Sequence, residues 1–203
     1  KLSAFTFNFL HVNRRSALET VPFLQASKFM ARGIGFGGEG DTLTASLVAA
    51  LARVYPDTSF SEMFCPDWEK ETIFLSHMGE FNYRLAEGKA RLIEMDYELS
   101  DAENPVLAAG RFRPGEFLVV NLQPLSAGYR LIIAPATMIG VKGKDNMSDR
   151  VHGWFKPRLP IESFLAEYSL QGGTHHLAIS YSASIRLIET FGQMMGWETV
   201  VIG

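Results

Sequence analysis

The chain has 203 residues, of which 47% are hydrophobic and 20% charged, a composition that is typical of a globular protein and excludes disorder, collagen and coiled coil. Its net charge of −3 gives no electrostatic basis for binding nucleic acid or an anionic membrane. The single cysteine, Cys65, excludes an internal disulfide and favours a reducing, cytoplasmic compartment. No apolar run approaches the roughly 20 residues that a membrane helix needs.

The first part of the chain is predicted to be helix, then loop, then helix. A capping box at residues 16–19 is one start for the first helix. A start at Thr20 is the other, because Pro22 is then tolerated in the first turn. Gly33 ends this helix. Asp41 is expected to cap a second helix over residues 42–53. The core-facing residues of that helix are predicted to be Leu43, Leu47, Ala50 and Leu51.

After Pro56 the pattern changes to short apolar segments with turn signals about every ten residues, which is typical of an antiparallel sheet or barrel. Strands are predicted over residues 73–75, 91–98, 106–112, 117–122, 129–134, 174–180 and 198–202, and helices over residues 162–170 and 184–195. We therefore predict an α+β chain. A helical and glycine-loop segment precedes a mainly antiparallel, β-barrel-like domain with two C-terminal helices, and the boundary lies near residue 58.

Residues 33–41 hold five glycines, and three interpretations of this loop stay open. Gly33, Gly35 and Gly38 match the dinucleotide-binding pattern, but that pattern needs a preceding strand, and here a helix-like segment precedes it. Glu39 would also place a negative charge near a pyrophosphate. A glycine-rich turn without a ligand is the second interpretation. In the third, the glycines let the backbone fold tightly so that the Glu39 carboxylate is presented to a pocket.

Two further segments hold polar residues next to apolar ones. Glu62 lies in an apolar stretch, either as a functional carboxylate or as a surface residue of an edge strand. Cys65 is predicted to be a small core residue, since no neighbour in the sequence would activate its thiol. His77 ends an apolar strand and is either a site residue or a hydrogen-bonded structural histidine.

A pair of histidines, His175 and His176, lies in the predicted strand over residues 174–180, before the last predicted helix. Because neighbouring side chains of a strand point to opposite faces, only one of the two is expected to face a site. His11 and His152 are predicted to lie at the surface. Carboxylates and imidazoles without a thiolate suit a Mn²⁺-like divalent ion better than structural zinc, although the spacing is too wide for a local metal motif.

Four segments of the chain together resemble the bacterial L-arabinose isomerase family. They are Gly-Phe-Gly-Gly-Glu-Gly-Asp at residues 35–41, Ser-Glu at residues 61–62, Ser-His-Met at residues 76–78 and Gly-Gly-Thr-His-His at residues 172–176. They occur in the order of the family and at similar intervals, and they span most of the chain.

The resemblance implies that Glu39, Glu62, His77 and His176 bind a divalent metal, usually Mn²⁺. It also implies that the two glutamates act as acid and base in the isomerisation of an aldose to a ketose through an enediol. The substrate would be L-arabinose or a related sugar. Residues 63–67 and 42–43 depart from the common members of the family, and these departures bear on the identity of the sugar.

Because chains of that family are longer, and this one starts at Lys1 rather than Met, we expect a C-terminal portion of a homo-oligomeric enzyme that also has N-terminal domains. Residues 1–58 would be the tail end of an α/β central domain and residues 59–203 a β-rich C-terminal domain. This part alone is expected to be inactive. The alternative is a non-catalytic β-barrel module for binding or assembly. A shared site requires the four side chains to lie within about 8 Å of one another, since metal–ligand bonds measure about 2 Å.

Overall fold

The computed structural model describes residues 2–143 and 145–203. Within these ranges it has four α-helices and eleven β-strands. The helices are α1 (Phe23–Met30), α2 (Thr42–Ala52), α3 (Ile161–Leu170) and α4 (Ile185–Met195). The strands are β1 (Ala4–Phe5), β2 (Gly35–Phe36), β3 (Thr58–Asp67), β4 (Thr72–His77), β5 (Arg91–Glu94), β6 (Val106–Arg111), β7 (Gly115–Pro124), β8 (Tyr129–Ile139), β9 (Val151–Pro157), β10 (His176–Ser180) and β11 (Glu198–Val201). None of the helices in these ranges is long and apolar enough to cross a lipid bilayer.

Nine strands form one mixed sheet in the order β11-β8-β7-β10-β3-β4-β9-β6-β5. β11 runs parallel to β8, and β6 runs parallel to β9, whereas the other neighbours in this order are antiparallel. The last part of β8 also pairs with β9, so the sheet curls strongly. The two remaining strands, β1 and β2, form a separate parallel pair.

The α+β class is confirmed, but the prediction of a mainly antiparallel, barrel-like domain is wrong. The sheet is mixed, and its outermost strands, β11 and β5, do not pair with each other. Regular turn signals report only hairpins between consecutive strands, such as β7–β8. Parallel pairs need longer connections, and here the chain reaches β9 after that hairpin and β11 after α4. Both predicted C-terminal helices, α3 and α4, are present.

The central strands are buried on both faces, because apolar side chains alternate between two clusters. In β10, Leu177 and Ile179 pack in a cluster that includes residues of α3, whereas Ala178 packs in a cluster that includes residues of α1, α2 and α4. Phe60 lies opposite Ala178 and belongs to the second cluster. The helices of the first segment therefore share a core with the strands of the second.

The helical segment differs from the prediction mainly in where it begins. α1 begins at Phe23, directly after Pro22, and neither residues 16–19 nor Thr20 start it. The hydroxyl of Ser16 instead donates to backbone carbonyls of its own loop. The second helix is confirmed, with Asp41 as its cap. Ala50 is exposed, so its assignment to the core-facing side of α2 is wrong.

Besides the short strands β1 and β2, two strands of the large sheet, β3 and β9, were not predicted from the sequence. β3 lacks strict alternation because a β-bulge separates Met63 from Cys65, and Pro66 follows within the strand. β9 contains Gly153 and ends at Pro157, residues that are depleted in strands. β3 and β9 are the two neighbours of β4 in the sheet, so the sequence pattern predicted only the central one of these three strands.

Gly35 is predicted to be essential for the close packing of the glycine loop on α2. A Cβ there would lie 2.2 Å from the carbonyl oxygen of Ala45 and 2.5 Å from the amide nitrogen of Ala49, both backbone atoms that cannot move aside. We expect Gly35→Ala to lower the free energy of unfolding by about 3 kcal/mol, the upper part of the range for overpacking. Urea denaturation measures the change.

Gly40→Ala is the matched control for this substitution. Gly40 lies in the same loop with φ +87°, and a Cβ there would meet no atom within 4 Å. Only backbone strain opposes this substitution, and we expect a cost of about 1 kcal/mol. Equal destabilisation by the two substitutions would show that close contact with α2 is not what excludes a side chain at Gly35.

Candidate functional site

The site lies where the end of β4, the start of β10 and the middle of β3 meet the glycine loop. His176, the first residue of β10, is the cross-strand partner of Glu62 in β3, and Glu62 in turn is the partner of Ser76 in β4. His77 follows as the last residue of β4. Glu39, Glu62 and His77 line a cavity of about 700 Å³. The sheet register therefore brings three distant parts of the sequence together.

Glu39 is presented by a short 3₁₀ turn (Gly38–Gly40) with an unusual backbone. Its φ and ψ of 57° and 26° are in the left-handed region, which is uncommon for a residue other than glycine. The preceding Gly38 leaves no room for a side chain, since a Cβ there would lie 2.7 Å from Nε2 of His77 and 3.0 Å from the ring of Phe60. The loop can therefore bring the Glu39 backbone directly over the strand ends.

His176 is buried, and its two ring nitrogens have different surroundings. Nδ1 lies 3.2 Å from Oδ2 of Asp41. Nε2 lies 3.7 Å from Oε2 of Glu39 and has no hydrogen-bond partner among the residues described. Burial tends to raise the pKa of Asp41, but hydrogen bonds from His176 and Thr44 outweigh this and lower that pKa to about 2. Asp41 is therefore an ionised acceptor.

His77 is buried with Glu80, whose carboxylate oxygen Oε2 lies 2.7 Å from Nδ1 of the imidazole. The centroid of the His77 ring is 4.8 Å from that of Phe60 and 5.6 Å from that of His176. Burial by itself would lower the pKa of His77. The negative charges of Glu80, then Glu62 and Glu39, more than offset this, so the pKa of His77 is raised above its ordinary value. All three carboxylates thus act on one imidazole.

His175 also lies at the site, which the sequence analysis did not predict. Its Nε2 is 3.9 Å from Oε1 of Glu62. Glu39, His175 and His176 each offer one donor atom, and these three atoms lie within 4.8 Å of one another. The expectation that only one of the two histidines faces the site is therefore wrong. Strand alternation does not apply to the pair, because His175 precedes the first residue of β10.

The structure brings the four predicted residues, Glu39, Glu62, His77 and His176, to one place, and their assignment as ligands and acid–base groups stays a prediction. Two predictions about other residues are wrong. Cys65 is exposed rather than part of the core, since it lies in the outer half of β3. His152 is buried rather than at the surface, and its Nε2 lies 3.2 Å from Oδ2 of Asp145.

Asp41 and Glu80 were not identified as site residues from the sequence. Asp41 was recognised only as the cap of α2, and it does accept a hydrogen bond from the Thr44 backbone N–H at 2.8 Å. Glu80 follows His77 by three residues in an irregular segment, where spacing carries no geometric information. An acidic residue three positions after His77, which ends an apolar strand, was the one sequence signal that could have indicated Glu80.

The chemistry of this donor set fits a divalent metal ion. Imidazole nitrogens and carboxylate oxygens, without a thiolate, are ligands that Mn²⁺ and similar ions accept. The buried Nε2 of His176 lacks a partner, and buried polar atoms of proteins are otherwise almost always satisfied. A cation next to Nε2 and the Glu39 carboxylate would satisfy both groups. The residues present therefore fit such an ion.

Comparison with known proteins gives consistent matches along the chain. The family profile of the L-arabinose isomerase C-terminal domain matches residues 57–198, and that of the L-arabinose isomerase central domain matches residues 1–56. L-arabinose isomerases of Anoxybacillus flavithermus and Geobacillus thermodenitrificans are each 31% identical to this chain, over 98% of the chain and 40% of the relative. L-arabinose isomerase 1 of Bacillus licheniformis is 28% identical, over 98% of the chain and 41% of the relative. The chain thus spans about two fifths of the length of these relatives.

Gly38 is predicted to be required for metal binding, since a methyl group there would meet Nε2 of His77. We expect Gly38→Ala to weaken Mn²⁺ binding at least about tenfold, as when a metal ligand loses its orientation. Calorimetric titration of the protein with Mn²⁺ measures the affinity. Gly88→Ala is the control, because Gly88 has open space around it and lies outside the cavity. Unchanged affinity of Gly38→Ala would remove His77 from the metal site.

Proposed function

Because the chain belongs to the L-arabinose isomerase family, we propose that it carries the metal-binding and proton-transfer residues of an aldose–ketose isomerase. The observation that carries this proposal is that two glutamates and two histidines from four segments of the chain lie together, and that Glu39, Glu62 and His77 among them line one cavity. Glu39 and His176 are 3.7 Å apart, and the rings of His77 and His176 are 5.6 Å apart. A merely structural arrangement would not need an unpartnered, buried imidazole nitrogen at the centre.

We propose Glu39, Glu62, His77 and His176 as the residues that would hold a divalent ion, with Mn²⁺ as the first candidate. Nε2 of His77 is next to Gly38, and Nε2 of His176 is next to Glu39. The two nitrogens therefore lie against adjacent residues of the glycine loop. His175 is the competing ligand, but its side chain is 57% exposed and is not held in place by burial. The buried histidines are the better prepared ligands.

In this proposal Glu39 and Glu62 exchange the protons of the reaction. Isomerisation moves hydrogen between two adjacent carbons of an open-chain sugar, so one group must remove a proton and another must return one. The two carboxylates border the cavity from different elements, one from the glycine loop and one from β3. When bound, a divalent ion supplies Lewis-acid stabilisation of negative charge on the sugar oxygens.

We also propose a substrate, a division into domains and a cellular setting. L-arabinose is the first candidate substrate, because it is in the names of the relatives, and a related sugar is the second. A division into a central domain up to about residue 58 and a C-terminal domain after it is supported by the change of matched family between residues 56 and 57. We further propose a cytoplasmic homo-oligomer in which other parts of the protein complete the substrate site.

The first prediction from this proposal concerns the two carboxylates. In the full-length protein with Mn²⁺, Glu39→Gln and Glu62→Gln are each expected to lower kcat by about 10²–10⁴-fold, the usual contribution of a positioned acid or base. Conversion of L-arabinose to its ketose gives kcat. Solvent deuterium at the carbon next to the carbonyl shows whether an enediol forms.

Glu69→Gln is the matched control, since Glu69 is an exposed glutamate at the turn between β3 and β4. It should leave kcat unchanged. If both site variants keep their activity, Glu39 and Glu62 are not the acid and base. If the wild-type protein binds Mn²⁺ but isomerises none of a set of aldoses, the non-catalytic binding module becomes the better description.

The second prediction separates the two candidate ligand sets. His77→Ala should abolish Mn²⁺ binding or weaken it at least about a hundredfold, whereas His175→Ala should change the affinity less than about tenfold. Calorimetric titration measures both, with His11→Ala as a control at an exposed histidine. The reverse order of effects would assign the ion to Glu39, His175 and His176.

A further inference from the structure

We propose that Glu80 and Asp41 are paired positioning residues, each accepting the Nδ1–H of one site histidine and so leaving Nε2 of both His77 and His176 free on the side of the glycine loop. The role of the two carboxylates rests on the proposed metal-binding function. The orientation and tautomers of the two imidazoles, however, can be tested without a metal. Neither carboxylate is itself placed among the ligands.

The His77–Glu80 pair is held in a fully buried setting. The side chains of His77 and Glu80 are 3% and 1% exposed, and Nδ1 lies 2.7 Å from Oε2. The same Oε2 accepts the backbone N–H of Gly79 at 2.9 Å. A carboxylate oxygen has lone pairs for both contacts, so we place the proton between Glu80 and His77 on Nδ1. Nε2 of the neutral imidazole then carries a lone pair.

The His176–Asp41 pair repeats this arrangement from a different part of the fold. Nδ1 of His176 lies 3.2 Å from Oδ2 of Asp41. Asp41 is fixed independently of the histidine, because its carboxylate accepts from the backbone N–H of Thr44 at 2.8 Å and from the Thr44 hydroxyl at 2.6 Å. The cap of α2 therefore also orients an imidazole at the end of β10.

Both pairs leave Nε2 on the side of the glycine loop. Nε2 of His77 is the nearest atom to the position of a Cβ on Gly38, at 2.7 Å. Nε2 of His176 is 3.7 Å from the Glu39 carboxylate and has no hydrogen-bond partner among the residues described. A carboxylate on the remote nitrogen of an imidazole fixes its orientation and makes the near nitrogen a stronger ligand. The two pairs thus prepare two ligands before an ion arrives.

The tautomers of the two histidines test the proposal in the metal-free protein. ¹⁵N NMR distinguishes protonated from unprotonated ring nitrogens, and it would be recorded where both imidazoles are neutral. We expect Nδ1–H and unprotonated Nε2 for His77 and His176 in the wild type. An Nε2–H tautomer at either residue would overturn the proposal for that pair.

Substitutions assign each tautomer to its carboxylate. Glu80→Ala should remove the Nδ1–H preference of His77 alone, and Glu80→Gln should restore it, since the amide oxygen can accept the same proton. Asp41→Ser should affect His176 alone, because serine caps a helix about as well as aspartate but is too short to reach the imidazole. A tautomer that does not respond to loss of its carboxylate would contradict the positioning role.

Titration with Mn²⁺ gives the second measurement. Glu80→Ala and Asp41→Ser should each weaken binding by about 10–100-fold, the usual effect of losing such a partner, and Glu80→Gln should weaken it less. Asp57→Asn is the control. Asp57 accepts the backbone N–H of Ser182 at 3.2 Å and lies outside the cavity, so both tautomers and the affinity should stay unchanged. Expected tautomers in a wild-type protein that binds no Mn²⁺ would keep the positioning inference and contradict the proposed metal function.

Discussion

The site depends on one steric constraint, the contact of the glycine loop with its surroundings. Gly35 and Gly37 lie so close to α2 that a Cβ on either would overlap backbone atoms, at 2.2 and 2.3 Å. A Cβ on Gly38 would lie 2.7 Å from Nε2 of His77 and 3.0 Å from the ring of Phe60. Because the loop has no side chains at these points, it can lie between α2 and the site residues of β3, β4 and β10. Glu39 and Asp41 are then both brought to His176 from one short segment.

Fold stability and the site are coupled through the same packing. The loop and α2 belong to the segment before residue 57, whereas β3, β4 and β10 follow it, and the two parts share an apolar cluster that includes Phe36, Leu47 and Phe60. Phe60 lies against the rings of both His77 and His176, with centroids at 4.8 and 5.2 Å. The aromatic ring therefore belongs both to the core and to the wall behind the histidines. A substitution that loosens this apolar cluster would therefore also displace the imidazoles of His77 and His176, even if the substituted residue does not contact them.

The sequence predicted the local features of this protein better than its long-range ones. The capped helix after Asp41 and the hairpin β7–β8 follow from nearest neighbours in the chain, and both were predicted. The parallel pairs β6–β9 and β11–β8 could not be, because pairing between distant strands leaves no periodic signal in either. For the site, motif order indicated Glu39, Glu62, His77 and His176. Asp41, Glu80 and His175 were missed, because their roles come from contacts made by irregular backbone and by a residue just outside a strand.

Two unfavourable features of the structure coincide at the site, and others among the described residues, such as the positive φ of Glu71 and the unpartnered hydroxyls of Tyr55 and Thr199, lie elsewhere. Glu39 has a positive φ, at a cost of order 1–3 kcal/mol for a residue other than glycine. The buried, unpartnered Nε2 of His176 adds about 1–3 kcal/mol. Both groups face each other across 3.7 Å, so a single bound cation would satisfy the nitrogen and use the strained carboxylate at once. Backbone strain next to an unpartnered nitrogen lone pair is what a fold can retain when a bound ligand contributes to its stability. The structural argument for a metal at this place therefore does not depend on the family match alone.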